Sequence, residues 1–151
     1  MHHYEVKSGE WIALLVKLLH DFVKKNEQVI VFTNTKYEVD LIENLFVNVF
    51  HISGSYLYGR MDTEQRAYHM ENFTSKKTKV LVVTDLCARG IDIPDVEVVI
   101  NYEFPLNIKT FIHRCGRTAR AGKSGTVYSL FSPEERPYVF ELDNKMSLKS
   151  L

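Results

Sequence analysis

The sequence predicts an α/β protein, an open and mostly parallel sheet held between helices in three layers. Three observations carry that expectation. Short runs rich in β-branched residues alternate with longer stretches of helical periodicity. The central runs, Val29–Thr33 and Val80–Thr84, are apolar up to a closing threonine, the pattern of strands buried on both faces. Strands joined through helices pair in parallel, because each crossover carries the chain back to the same end of the sheet.

In order along the chain, Ser8 is positioned to cap a helix whose apolar residues Trp11, Leu14, Leu15, Leu18, Leu19 and Phe22 recur at i, i+3 and i+4. Val29–Thr33 is the first expected strand. Lys36–Phe46 follows as a helix with Val39, Ile42, Leu45 and Phe46 along one face. Tyr56–Tyr58 is a brief strand. Thr63–Phe73 is a helix whose capping box is incomplete, since Arg66 stands where a Glu would close it. Val80–Thr84 and Val98–Tyr102 are strands, Asn107–Ala119 a helix, Thr126–Phe131 a strand, and Pro133 opens a last helix. That makes about five or six strands, an ordinary sheet size.

Length and charge set the frame. The chain has 151 residues, suited to one domain over residues 1–151. Its formal net charge is zero, so any polyanion site must come from local clustering. Cys87 and Cys115 fit no disulfide scaffold and no zinc spacing, and read as buried thiols of a reducing compartment. No apolar run approaches the roughly 20 residues that cross a bilayer. The start, Met1-His2-His3-Tyr4, lacks the shape of a signal peptide, so an intracellular protein is expected.

In open parallel sheets, ligands sit beyond the carboxyl ends of the strands. The loops to inspect are therefore Thr33–Lys36, Tyr58–Met61, Thr84–Pro94, Tyr102–Asn107 and Arg120–Gly125. The strongest string is His113-Arg114-Cys115-Gly116-Arg117-Thr118-Ala119-Arg120-Ala121-Gly122. From Phe104 to Pro133 there is no Asp or Glu, yet Lys109, Arg114, Arg117, Arg120 and Lys123 lie inside that stretch. Arg114, Arg117 and Arg120 fall at every third residue and would share a broad face of a helix. Guanidinium suits phosphate because it is planar, always charged and able to bind two oxygens.

A second string, Thr84-Asp85-Leu86-Cys87-Ala88-Arg89-Gly90-Ile91-Asp92-Ile93-Pro94, leaves the most apolar strand directly. Asp92 could accept from sugar hydroxyls. Thr84 and the Gly90 amide could donate to a phosphate. Two weaker strings are Val29–Thr35 and Tyr58–Asp62 with Arg66. Gly122-Lys123-Ser124 mimics the end of a phosphate loop, but it leads into a strand where such a loop must open a helix. The sequence also holds no DExD/H string. The groups that grip β- and γ-phosphates and magnesium are thus missing from this chain.

Together these strings resemble the second RecA-like domain of DEAD-box RNA helicases. Val29-Ile30-Val31-Phe32-Thr33-Asn34-Thr35 is similar to the family's motif IV, Thr84–Pro94 to motif V, Val99-Ile100-Asn101-Tyr102-Glu103-Phe104-Pro105 to motif Va, and His113–Gly122 to motif VI. The resemblance runs from about Trp11 to about Phe140. Its ending, Ser124–Tyr138, and the string Tyr56–Arg66 look most like the nucleolar branch that serves large-subunit ribosome assembly. The resemblance implies a three-layer RecA-like fold and an ATP-driven RNA helicase whose first RecA-like domain is absent from this chain.

Roles follow from the resemblance alone. Arg117 and Arg120 would be arginine fingers for the γ-phosphate. Asp92 would meet the ATP ribose, with Arg89 and Gly90 beside it, and His113 and Arg114 would couple the two domains. Thr35, Gly59, Arg66, Thr84 and Gly90 would line the RNA backbone, giving sequence-independent contact. ATP and Mg2+ would be held mainly by the absent domain. The implied partners are RNA and that N-terminal RecA-like domain, with no membrane, a monomeric state and a nuclear or nucleolar location.

The chain departs from the pattern in three places. Thr63 stands for the Gln of QxxR, Tyr58 for the His of His-Gly, and Ala119 for a motif VI glycine. The last change should be tolerated if residue 119 is helical. Two other readings remain. One is a non-catalytic RNA- or protein-binding module of the same shape. The other is a self-contained enzyme on a small phosphorylated molecule, with His113 as its base.

Overall fold

The computed structural model describes residues 1–119 and 124–148. Six strands, β1 (His2–Glu5), β2 (Val29–Thr33), β3 (Gly54–Leu57), β4 (Val80–Thr84), β5 (Val98–Asn101) and β6 (Thr126–Phe131), form one sheet in the order β1-β6-β5-β2-β4-β3. Every neighbouring pair is parallel. The helices are α1 (Trp11–Lys24), α2 (Lys36–Leu45), α3 (Thr63–Thr74), the short α4 (Asp85–Ala88), α5 (Ile108–Cys115) and α6 (Arg136–Leu148). The predicted α/β three-layer sandwich is the one observed.

Alternation along the central strands builds the two core layers. Val29, Val31, Val80, Val82, Val98 and Ile100 face α1 and α2, meeting Leu15, Leu19, Val39 and Ile42. Ile30, Phe32, Leu81, Val83 and Val99 turn to the other side and pack with Phe73 of α3. A third cluster, Phe104, Phe111, Phe131, Val139 and Leu142, seats α5 against α6. Each fully buried side chain of this kind contributes about 1.5–3 kcal/mol relative to exposure.

Four local expectations are corrected. Ser8 is not the cap of α1, because Glu10 holds that position without a side-chain bond. Asp62, not Thr63, caps α3, its Oδ1 accepting from the Glu64 and Gln65 amides at 2.9 and 3.4 Å. After Leu45, α2 widens into a π-turn, Phe46–Phe50, closed by His51 in the left-handed region at φ 52°. Finally, α5 ends at Cys115, not Ala119. Beyond it, Thr118 forms a single parallel bridge to Val96, and its Oγ1 donates to the Val96 and Glu97 carbonyls. That hydroxyl fixes the turn to the entry of β5. It also requires the glycine at 125, where an added Cβ would lie 2.1 Å from the Thr118 Oγ1.

The edge strand β1 has no counterpart in the sequence reading. Long-range contacts hold it in place. His2 and Tyr4 stack on Tyr128, His3 Nε2 lies 3.0 Å from Asp143, and Glu5 takes both nitrogens of Arg136 at 2.7 Å.

Candidate nucleotide and RNA face

The carboxyl ends of β2, β4 and β5 converge on one side chain. Arg114, in the last turn of α5, is fully buried. Its Nε and Nη2 donate to the two carboxylate oxygens of Asp85 at 2.8 and 2.6 Å. Nη2 also donates to Asn34 Oδ1 at 2.7 Å, and Nη1 to the Glu103 carbonyl at 2.7 Å and Asn101 Oδ1 at 3.3 Å. The guanidinium lies over the Phe32 ring, 5.2 Å from its centre. All five N–H donors of this arginine are used. A buried charge is tolerated when it is paired and fully hydrogen-bonded, and both conditions hold here. The network continues outward. Asn101 Nδ2 donates to Ser129 of β6, and the Asn34 amide donates to a Glu103 carboxylate oxygen at 2.6 Å. Burial pushes the Glu103 carboxyl above its ordinary value, and that amide bond works against the rise.

Arg117 differs in every respect. It lies past the end of the helix in the turn that Thr118 fixes, so Arg114 and Arg117 do not share a helical face as their spacing implied. Nη2 of Arg117 lies 2.8 Å from His113 Nε2. Its Nε is shielded from solvent and bonded to nothing among the described residues. No carboxylate among the described residues pairs with it. Arg120 lies outside the described residues. Gly125 directly precedes β6, so it stands at an amino end of the sheet and not with the carboxyl-end loops.

Ala119 is not helical either. Its φ of +56° places it in the left-handed region, where a Cβ is disfavoured and glycine is free. Ala119→Gly is therefore expected to stabilise the domain by about 0.5–1 kcal/mol, the relief of strain exceeding the added freedom of the unfolded chain. Thermal denaturation checks this, and a lowered melting temperature would contradict it.

The remaining candidates occupy three carboxyl-end loops and the first turn of α3. Arg89 is exposed and donates to Thr110 Oγ1 at 3.2 Å, tying the loop after α4 to α5. Asp92 is exposed. Gly90 donates its own amide to the Cys87 carbonyl at 3.1 Å, so that amide is already used within the loop. Thr84 is buried at the end of β4. Thr35 caps α2, its Oγ1 accepting from the Glu38 amide at 3.4 Å. Gly59 approaches Leu86 so closely that an added Cβ would stand 3.2 Å from it. Arg66 donates to the Met61 carbonyl at 3.4 Å and, like Arg117, keeps a buried Nε without a partner. Burial pushes the Cys115 thiol up to about 12 and raises Cys87 as well, which leaves both as thiols. Among the described residues no cluster of His, Cys, Asp or Glu could hold a metal ion.

Sequence reasoning did not foresee Asn34, Asp85, Asn101 or Glu103 as site residues. Each ends or follows an apolar strand within a quoted string, and that is the signal that could have found them.

This sheet, with basic and small residues gathered in the loops at its strand ends, defines a RecA-like domain. Comparison with known proteins narrows the class. Residues 11–122 match the helicase conserved C-terminal domain. Putative DEAD-box ATP-dependent RNA helicase 29 of Arabidopsis thaliana is 41% identical over 137 residues, and ATP-dependent RNA helicase DDX54 of Mus musculus 43% over 137. Each alignment covers 91% of this chain, which spans 16% of either relative's length. Among solved structures, E. coli DEAD-box protein SrmB superposes with a TM-score of 0.82 at 35% identity, covering 93% of this chain and 81% of that one. Mss116p DEAD-box helicase domain 2, bound to an RNA duplex, superposes at 0.81 with 28% identity, covering 94% and 57%. The chain belongs to the helicase C-terminal domains, and among them to the DEAD-box proteins.

Proposed function

We propose that this chain is the second RecA-like half of an ATP-dependent RNA helicase, supplying arginine fingers and part of the RNA-backbone groove. The observation that carries the reading is the contrast within one motif. Arg114 spends every donor inside the domain, whereas Arg117 keeps a shielded donor with no partner among the described residues. Such a group is positioned for an anion that arrives from outside.

The first RecA-like domain would hold the triphosphate and Mg2+, the ion neutralising charge on the phosphate oxygens. On closure, Arg117 and Arg120 would reach the γ-phosphate and stabilise the charge of the transition state. Exposed Asp92 would accept from the ribose hydroxyls. Arg89, braced on Thr110, and His113, held by Arg117, would carry the contact between domains. Arg114 would act through position, holding the ends of β2, β4 and β5 in register. Thr35, Gly59, Arg66, Thr84 and the Gly90 loop would follow the RNA backbone, with the spare Nε of Arg66 facing a phosphate. Contacts to sugar and phosphate give binding without sequence preference. The protein would act as a monomer in this clamp.

An rRNA substrate and a nucleolar site of action fit the similarity to ATP-dependent rRNA helicase RRP3 of Kluyveromyces lactis, 41% identical over 144 residues. The test is turnover. This chain alone should hydrolyse no ATP above background, and supplying a DEAD-box first domain should give RNA-stimulated hydrolysis. Turnover by the lone chain, or none with both halves and RNA present, would contradict the reading.

A further inference from the structure

A second concave site lies at the opposite end of the sheet. Ser53 directly precedes β3 and Lys79 directly precedes β4, so both stand at amino ends, away from Gly59 and Thr84. The five residues of β4 separate the two ends by roughly 15 Å at about 3.3 Å per residue. Here the C-terminal half of α1 and the π-turn enclose a groove of about 430 Å³. Its floor is apolar and mostly aliphatic, made by Val16, Leu19, Val23, Phe50 and Ile52. Val23 and Phe50 are 40% and 37% exposed. The π-turn and the left-handed His51 that ends it place Phe50 at the groove. Such π-turns recur at functional positions.

The rim is cationic. Lys24, Lys77 and Lys79 line the groove with His20 and His51, and no carboxylate lines it among the described residues. Lys25 and Lys76 adjoin these lysines in sequence. None of the five lysines forms an ion pair with a described residue, although Lys36 and Lys145 elsewhere both do. Asp21 lies 3.8 Å from His20, and both are exposed; Asp21 lines a neighbouring hollow, not this groove. In a chain of zero net charge, this excess beside bare aliphatic surface has no use inside the domain.

We propose that this groove binds an acidic peptide segment of a partner protein, anchored by a bulky apolar side chain. The volume suits one or two such side chains, and a small apolar pocket ringed by matching charge is the usual form of a peptide anchor site. The aliphatic floor favours a peptide over nucleic acid, whose bases stack on aromatic planes and whose backbone gains nothing from Val16, Leu19 or Ile52. The site is independent of the nucleotide and RNA face, so a partner held here could travel with the domain while that face works.

The experiment uses a fluorescein-labelled peptide in which Leu and Phe alternate with Glu and Asp, followed by fluorescence anisotropy on this chain. Saturable binding is expected. It should weaken at least tenfold when the Leu and Phe of the probe become Ala, and equally in Lys24→Glu/Lys77→Glu and in Val23→Glu. These positions are exposed, and circular dichroism with urea titration confirms that each variant folds. In the two-domain protein, Lys24→Glu/Lys77→Glu should leave RNA-stimulated ATP hydrolysis unchanged. The proposal is overturned if the probe fails to bind, if the Ala probe binds as well, if the folded variants bind as the parent does, or if oligouridine displaces the probe.

Discussion

Arg117→Ala, in a protein that joins this domain to a DEAD-box first RecA-like half, is expected to lower RNA-stimulated ATP hydrolysis by about 10³-fold or more, the range of an arginine finger. It leaves the stability of this domain within about 1 kcal/mol of the parent, as for most substitutions outside a core. The two halves of that expectation come from one geometry. The guanidinium touches His113 and otherwise presents a shielded Nε with no partner among the described residues, so truncation removes little from the fold. What it removes is the charge that the proposed function aims at the triphosphate. Arg117→Lys should rescue little, because an ammonium is a point charge without the planar fork. The measurements are kcat with saturating RNA and the urea midpoint of the isolated domain. A rate within tenfold of the parent would show that Arg117 is not at the reacting phosphate.

Arg114→Ala has the reverse signature. It is expected to cost about 3–5 kcal/mol of stability, the penalty for stranding one member of a buried charged pair. That is a large part of the 5–15 kcal/mol that holds a domain of this kind together. Asp85, Asn34 and Asn101 would all lose a donor at once, and the Glu103 carbonyl would lose one too. Arg114→Lys should recover only part of this, since one ammonium cannot reach three strand ends. Urea denaturation measures the loss. A double-mutant cycle with Asp85→Asn then separates the pair from the rest of the network. A loss below about 1 kcal/mol would mean that the convergence on Arg114 is incidental.

The layers of the fold were legible because the strands wear their burial openly. Val29–Thr33 and Val80–Thr84 were bounded to the residue from apolar runs alone. β1 was not, since His2-His3-Tyr4-Glu5 carries no such pattern. Its partners Tyr128, Arg136 and Asp143 lie more than a hundred residues away in sequence, where local periodicity has no reach. The end of α5 was missed for a different reason. Arginines at every third residue imitate a helical face, whereas the turn is set by Thr118 reaching back to Val96 and Glu97. The same distinction governs the site. Residue type alone marked the motif arginines as candidate phosphate-binding groups. It could not separate Arg114 from Arg117, because that difference depends on where Asn34, Asp85 and Asn101 arrive in space.

The placing of β1 at the rim of the sheet, beside β6, bears on where this domain can be cut. The stretch that carries the family pattern, residues 11–122, omits both of these strands. A fragment trimmed to it would bare the flank of β5, a row of unpaired amides and carbonyls next to Val98, Val99 and Ile100. Open flanks of that kind recruit other chains and precipitate. The smallest piece expected to stay soluble is thus larger than the piece that bears the motifs, and it must include Thr126–Phe131.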